Sequence, residues 1–434
     1  MKNPLIQFKM FFILIADLAA AFSALFLMIF IRYGAAGAGA QIGAHLMPFS
    51  IIISLFILNF YIFNLYSFRF NKNTTEFINS FVKSLIISFI VAALIFYAFG
   101  NFFTLTPKTN LVLFTMIFGG MDFYLRILIK RFLRNHKIDR KVVIVSEKDN
   151  TLLEEIIQNQ NIGYQIVSHI EVFDVEKIIS QNPDLVVISS TLEKELDDMY
   201  ALIKRGIIVY TIHKFYEEML QKVPTEKLKK EEIVDYLSKD RTIFNFAKRT
   251  LDICLSVSLL IVLSPLFVII AVLIKLTSRG PVFFAHKRVS LNDTEFTIYK
   301  FRSMYTNAEK NGAVWTENNK IDPRITPIGR LIRETHLDEL PQLINILKGD
   351  ISFVGPRPER PEFTGLLKEH IPYYDLRHSV KAGLTGWAQI NYKYGSSVED
   401  AKEKLKYDFY YIKNRNIFFD FLIMLKTAAK VFMH

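Results

Sequence analysis

DPRITPIGRLIRETHLDELPQLINILKGDISFVGPRPER, residues 322–360, packs cations, an adjacent carboxylate pair and a Gly-Pro-Arg-Pro turn into one short stretch. Arg324, Arg330, Arg333, Lys348, Arg357 and Arg360 supply more positive charge than a packed fold needs, and Asp338 and Glu339 sit among them. A guanidinium offers phosphate oxygens a rigid fork of donors that an ammonium lacks. The stretch therefore points to a phosphorylated substrate, with the carboxylates as metal ligand, nucleophile or both.

Its local pattern is helical. Thr326-Pro327 should open a helix over 328–336, with Arg330 and Arg333 on one face. Pro341 fits the first turn of a second helix over 339–347, whose Leu340, Leu343, Ile344 and Leu347 face a core. Asp338 then falls near the N-cap, where backbone donors favour an anion. Asp-Glu-Leu before a helix is also an ordinary capping sequence; the surrounding arginines favour a site. Prolines on either side of Arg357 fix the backbone that presents its fork. Two carboxylates beside phosphate suit Mg2+, with Mn2+ as a substitute. No His/Cys cluster suggests zinc.

Six ordered motifs carry a family resemblance: IKLTSRGPVFF (274–284), FTIYKFRSM (296–304), DPRITPIGR (322–330), DELPQLINILKGD (338–350), FVGPRPER (353–360) and GLTGWAQI (383–390). Over residues 243–434 the chain resembles the bacterial sugar transferases, monotopic polyprenyl-phosphate phosphoglycosyl transferases. The resemblance implies that Asp338 is the nucleophile and Glu339 its partner in metal binding. Lys300 and Arg302, which alternation places on one face of a strand, would lie beside the site. Thr385 and Gln389 would approach the substrate, Gln389 through a uracil or sugar. Four positions depart from the family pattern. His286 stands where Gln is usual, Ser290 and Asp293 where glycines are usual, and Ala382 where Pro is usual. His286 reads as structural, and the others suggest altered turns rather than altered chemistry.

Outside this region the chain is apolar and basic. It has 434 residues, 51% hydrophobic, with 39 Phe and a formal net charge of +11. Apolar stretches at 11–31, 46–65, 85–103 and 111–128 each approach the roughly 20 residues that cross hydrocarbon. Lys2, Lys9, Arg69, Lys72, Lys83, Arg126, Lys130 and Arg131 flank them so that both ends of the bundle face the cytoplasm. The linker GAAGAGAQIGAH reads as a short external loop. Asp17, inside the first stretch, is either functional or close enough to the end to reach the interface. The single Cys254 excludes an internal disulfide and reads as a packed core cysteine.

Residues 141–214 change period. Strands at 141–145, 164–168, 184–189 and 207–212 alternate with short helices, a βαβ pattern that argues a Rossmann-like parallel sheet. Its first turn, Ser146 to Asn150, lacks the glycines a dinucleotide fingerprint needs, and Glu147 and Asp149 would repel phosphate. A domain without bound cofactor is expected. Residues 220–242 are charged and read as a surface helix or linker.

The apolar run 253–273 has basic flanks on both sides, and a crossing helix should have one. Ser264-Pro265 breaks it near the middle, so that it could enter one leaflet and return. Asp252 should pair with Lys248 or Arg249. Residues 307–320 are polar and read as a lid. The segment 405–432 interleaves aromatic, apolar and basic residues, suited to a helix in the headgroup plane or to a core helix.

The expected protein is a membrane protein. A four-helix transmembrane bundle (1–135) precedes the α/β Rossmann-like domain (137–240). An α/β phosphoglycosyl transferase domain (243–434) follows, with a re-entrant segment (250–277) and C-terminal interfacial helices. The resemblance implies transfer of sugar-1-phosphate from a UDP-sugar, glucose or galactose or else an N-acetylhexosamine, to undecaprenyl phosphate. UMP is the other product and an aspartyl-phosphosugar the intermediate. It further implies initiation of capsule, exopolysaccharide or O-antigen synthesis at the cytoplasmic face of the bacterial inner membrane, anionic lipid as a contact, and a homodimer. Nucleic acid is not expected, since the cations do not form a continuous stripe. The rivals are a non-enzymatic scaffold of polysaccharide assembly and a polytopic transferase without a covalent intermediate.

Overall fold

The computed structural model describes residues 4–63, 65–66, 74–98, 108–135, 140–146, 151–158, 164–189, 196–225, 241–306, 308, 322–392, 395 and 397–433. They form two compact units, Met1–Leu220 and Gln221–His434. The turn residues Glu147 and Asp149, most of the expected lid and the linker at 226–240 lie outside the described residues.

The first unit starts with α1 (Pro4–Ile62), α2 (Thr74–Ala98) and α3 (Lys108–Asn135). Within them Met10–Ile62, Phe77–Ala98 and Thr109–Ile129 are long and apolar enough to cross a bilayer. α1 contains both of the first two expected crossings. The glycine- and alanine-rich linker between them, expected as a loop, is helical and breaks at Gly34, whose φ of 67° suits glycine. A straight helix of 59 residues would be about 90 Å long. Instead Arg126 of α3 donates to Asp17 at 2.5 Å and to the Leu65 carbonyl at 2.9 Å, so the chain folds back between those residues. Asp17, which could have reached the interface, is not solvated. It is buried in an ion cluster with Arg126 and Asp122. Arg126, expected as a flanking charge, is buried there too. Phe56 and Phe60 against Phe118 fill the adjoining core.

The rest of this unit alternates β1 (Arg140–Val145), α4 (Thr151–Gln158), β2 (Tyr164–Ile170), α5 (Val175–Ser180), β3 (Leu185–Ile188), α6 (Leu196–Lys204), β4 (Ile208–Thr211) and α7 (Ile212–Leu220). The strands form one parallel sheet in the order β2-β1-β3-β4. Side chains alternate across a strand. Val142 and Ile144 therefore pack with α4 and α7, while Val143 and Val145 pack with α5 and α6.

The second unit begins before the boundary expected at residue 240. Val223 is fully buried among Leu405, Tyr411 and Leu343, and its N–H donates to the Lys406 carbonyl at 2.9 Å. α8 (Thr242–Val262) and α9 (Ser264–Thr277) then meet at a 61° bend. Pro265 stands in the first turn of α9, where its missing N–H costs nothing. Ser264 Oγ donates to the Ile261 carbonyl at 2.8 Å. Apolar side chains around the bend, including Ile261, Val262, Val268 and Ile269, are exposed, and so is Cys254.

Both ends of this bent pair are fastened within the same folded unit. Lys248 pairs with Asp420, and Arg249 donates to the carbonyls of Ile346 and Leu347. Asp252, expected to pair with one of those cations, instead accepts from Ser352 Oγ at 3.1 Å and the Phe353 N–H at 3.2 Å. It is buried where those donors would otherwise go unmet. At the far end Arg302 donates to the carbonyls of Ser278 and Arg279 at 2.9 and 3.0 Å.

Next come the hairpin β5 (Phe283–Val289) and β6 (Glu295–Phe301), α10 (Pro327–Glu334), a 3-10 turn (Leu337–Glu339), α11 (Gln342–Lys348), β7 (Ser352–Val354), α12 (Pro361–His370), β8 (Gly383–Thr385), α13 (Trp387–Asn391), α14 (Val398–Asn414) and α15 (Ile417–Met433). β7 and β8 pair in parallel, so closely that a Cβ on Gly383 would lie 2.1 Å from the Gly355 nitrogen. The altered turn positions are built in. Asp293 takes a φ of 59° and accepts from Lys368 and His378. Ser290 Oγ links the Asp350 carbonyl to the Ala382 N–H. α14 is a core helix through Leu405, Tyr407, Phe409 and Tyr411, while α15 leaves Phe418 and Phe421 exposed.

Candidate active site

The carboxylate pair sits in the 3-10 turn, between two helices rather than at the N-cap of the second. Thr326 caps α10 through the Gly329 N–H at 3.0 Å. His336 then takes a left-handed φ of 55° and turns the chain, and α11 starts only after Pro341. A 3-10 turn brings residues three apart to one side. Leu337 and Leu340 accordingly pack against the cluster of Ile270, Ile274, Phe301 and Ile332. The apolar neighbours on either side of the acidic pair thus anchor the turn in that cluster.

The two carboxylates have opposite surroundings. Glu339 Oε1 accepts from Lys300 Nζ at 2.7 Å and from Arg357 Nη2 at 2.8 Å. Burial opposes its charge, but Arg357 and Lys300 outweigh burial and hold it well below the usual carboxylate range. Asp338 is 8% exposed. Burial pushes its carboxyl up and the charge on Glu339 adds to the rise, against Lys300, Arg333 and Arg357. Glu339 is held as an anion, while burial disfavours the charged form of Asp338.

The other expected site residues divide. Arg360 stands at the N-cap of α12, and its charge acts on His286 together with those of Arg288, Lys300 and Arg357. Arg333 acts on both Asp338 and Asp322. Arg330 is exposed on α10. Arg324 is forked onto Asp322 at 2.9 and 2.7 Å. Arg302, expected beside Lys300, is instead the clamp on the end of α9. Thr385 Oγ1 bonds Thr427 Oγ1 at 2.6 Å, and Gln389 donates to the Leu384 carbonyl at 3.3 Å, so both face their own domain. Lys348 reaches Tyr299 Oη at 3.2 Å.

Sequence reasoning missed Arg288 and Arg377. Arg288 Nε donates to His286 Nε2 at 2.8 Å. Burial, with the charges of Arg288, Arg360, Lys300 and Arg357, brings the imidazole down to about 3 and keeps it neutral. Arg377 is buried against Asp408. Arg288 Nη1 also donates to the Pro358 carbonyl at 2.9 Å, so both arginines are revealed by partners distant in sequence.

Asp338 and Glu339 offer hard oxygen donors, which suit Mg2+ shared with a diphosphate. Glu339 Oε1 already takes two cationic donors, so its other oxygen and the Asp338 carboxylate would be the ligands. Among the described residues no group of three or more His, Cys, Asp or Glu side chains forms a self-sufficient metal site. The pair fits a metal that arrives with phosphate ligands.

Residues 243–434 match the bacterial sugar transferase family. The chain is similar to a UDP-N-acetylgalactosamine-undecaprenyl-phosphate N-acetylgalactosaminephosphotransferase of Aeromonas hydrophila, 42% identical over 225 residues, 52% of this chain and 52% of that protein. It is similar to a UDP-glucose:undecaprenyl-phosphate glucose-1-phosphate transferase of Escherichia coli K12, 40% identical over 189 residues, 43% of this chain and 40% of that protein. The chain spans about half or less of the length of these two relatives. An exopolysaccharide production protein of Rhizobium leguminosarum bv. phaseoli is 41% identical over 188 residues, 42% of this chain and 93% of that protein. With the ordered motifs, the carboxylate turn and a relative matched over nearly its whole length, the chain belongs to the bacterial sugar transferase family.

Proposed function

We propose that the protein transfers sugar-1-phosphate from a UDP-sugar to undecaprenyl phosphate at a membrane surface and releases UMP. The observation that carries this reading is the division of labour between Glu339, pinned by Lys300 and Arg357, and Asp338, buried beside it and raised in pKa. An Asp338 oxygen attacks the sugar-bearing phosphorus, and the phosphorus–oxygen bond to UMP breaks. A lipid phosphate oxygen then attacks the same phosphorus, and Asp338 leaves as a carboxylate. Arg357, Lys300 and Arg333 offset the charge that gathers on the phosphoryl oxygens. Mg2+ held by Asp338, Glu339 and the diphosphate would supply further charge neutralisation.

The bent α8–α9 pair supplies the lipid side. From residue 253 to the bend at 263 is about 15 Å of helix, half the hydrocarbon thickness. Both ends return to one folded unit, and on this reading the segment enters one leaflet and comes back. The reading places the site at the cytoplasmic face of the inner membrane, with anionic lipid around it, and includes a homodimer. Donors named for the relatives include both glucose and N-acetylgalactosamine, so hexose and N-acetylhexosamine both enter the test. The lipid product would begin an exopolysaccharide, capsule or O-antigen. The experiment is UMP release from a panel of UDP-sugars with undecaprenyl phosphate and Mg2+. One donor should stand out, and no release from any of them ends the reading.

A further inference from the structure

Arg377 makes no contact with the carboxylates, yet one hydrogen bond separates it from the arginine that does. Arg377 Nη2 donates to the backbone carbonyl of Arg357 at 2.9 Å. The same guanidinium donates to Tyr374 Oη and pairs with Asp408 Oδ2 of α14 at 2.9 Å. Arg377 is 6% exposed and Asp408 2%. A charge pair this deep costs a large desolvation penalty, and apolar residues of similar volume often replace such a pair with no loss of stability. Stability alone is therefore a poor account of it.

Its geometry gives a better one. Arg357 is held between Pro356 and Pro358, so moving its carbonyl moves the root of its side chain. The far side of the turn is fixed by β8, through Gly383 N–H to the Pro356 carbonyl and Gly355 N–H to the Thr385 carbonyl, each 2.9 Å. Arg377 fastens the Arg357 carbonyl itself, and Arg288 Nη1 donates to the next carbonyl, that of Pro358, at 2.9 Å. We infer that Arg377, anchored by Asp408 and Tyr374, is a positioning residue of the phosphate site, holding the Arg357 carbonyl and thereby the place where the Arg357 fork meets Glu339. The relay runs Asp408, Arg377, Arg357, Glu339, from a core helix to the carboxylate pair. This inference rests on reading that pair as a transferase centre.

The test uses the full chain in lipid nanodiscs and the double variant Arg377→Met with Asp408→Leu, which replaces both charges by apolar groups. Thermal melting, amide hydrogen exchange over residues 353–360, and kcat and KM for UMP release are measured together. The expected result is a melting point close to wild type and faster exchange confined to the turn. With these should come a fall in kcat/KM of about 100-fold, the scale of an ångström of misplacement. Arg377→Lys keeps the charge but loses the fork, and should show the same turn exchange and a similar fall. A double variant with wild-type turn exchange and wild-type kcat/KM overturns the assignment. If the double variant melts early, Arg377→Lys, assayed below its own midpoint, decides the question by the same two readouts. Absence of UMP release from wild type sinks the transferase reading alone, and exchange at the turn then decides the positioning claim.

Discussion

Asp338 and Glu339 are consecutive residues of one 3-10 turn, and the protein moves their carboxyl groups in opposite directions. Glu339 is held anionic by two hydrogen-bonded cations. Asp338 is buried without such a clamp among the described residues.

The contrast predicts opposite effects of two conservative changes. A carboxyl whose pKa is raised by folding loses stability as pH rises from its unfolded value through its folded value. Asp338→Asn removes that penalty at neutral pH and should melt at or above the wild-type temperature. Glu339→Gln leaves Lys300 and Arg357 facing each other without their anion and should cost about 2–3 kcal/mol. Its melting point should drop clearly in a thermal scan at pH 7.5. Equal losses in both variants would show that the two acids are not differently placed.

The same shift predicts the acid side of the rate profile. Attack needs ionised Asp338, so UMP release should fall as pH falls through its raised range, while Glu339, held low, stays charged throughout. Arg333 favours the Asp338 anion. Arg333→Gln should therefore move the acid limb of kcat to higher pH, read from the apparent pKa of the profile. A limb that stays in place or moves to lower pH would contradict this assignment.

Topology gives a third prediction. In a Cys254→Ser background, Ile243→Cys and Tyr305→Cys should react with a membrane-impermeant thiol reagent from the same side. Both positions are at least half exposed, at 87% and 50%. Labelling from opposite sides would rule out the re-entrant placement of α8 and α9. Pro265→Ala, by restoring a helical N–H at the bend, should shift part of the population toward a full crossing.

Much of this was legible in the chain because it was written in local signals. The break at Ser264-Pro265 and the parallel strands β1 to β4 follow from proline geometry and periodicity. The single apolar face expected of Leu340, Leu343, Ile344 and Leu347 does not form: the helix starts only at Gln342, Leu340 packs with Ile270 and Ile274, Leu343 packs with Ile346 in another cluster, and Leu347 is exposed. What could not be read depends on partners distant in sequence. Alternation put Lys300 and Arg302 on one face, but only the fold decides that Lys300 meets Glu339 while Arg302 meets Ser278 and Arg279. The pairing of Asp252 with β7 and of Lys248 with Asp420 is equally non-local. The glycines of the first linker suggested a loop, but alanines and apolar neighbours carry the helix through all of them except Gly34.

The last prediction is the covalent step. A carboxylate is a weak nucleophile, and it attacks only a phosphate that is neutralised and held in line. The proposal gives that role to Asp338 because Lys300 and Arg357 meet at the adjacent Glu339 within hydrogen-bond distance. Wild-type protein with its preferred UDP-sugar and Mg2+, but without lipid phosphate, should gain the mass of one phosphosugar and release one equivalent of UMP. The adduct should map to Asp338 and vanish when undecaprenyl phosphate is added. Asp338→Asn should show neither adduct nor burst. Glu339→Gln should slow both, because its loss frees Lys300 and Arg357 to swing from the positions it holds. Arg357→Lys should be severe, since a single ammonium cannot keep the bond to Glu339 and also present a fork. If turnover needs both substrates together and no adduct can be trapped, the sugar phosphate passes directly to the lipid, and Asp338 serves as a metal ligand or base instead.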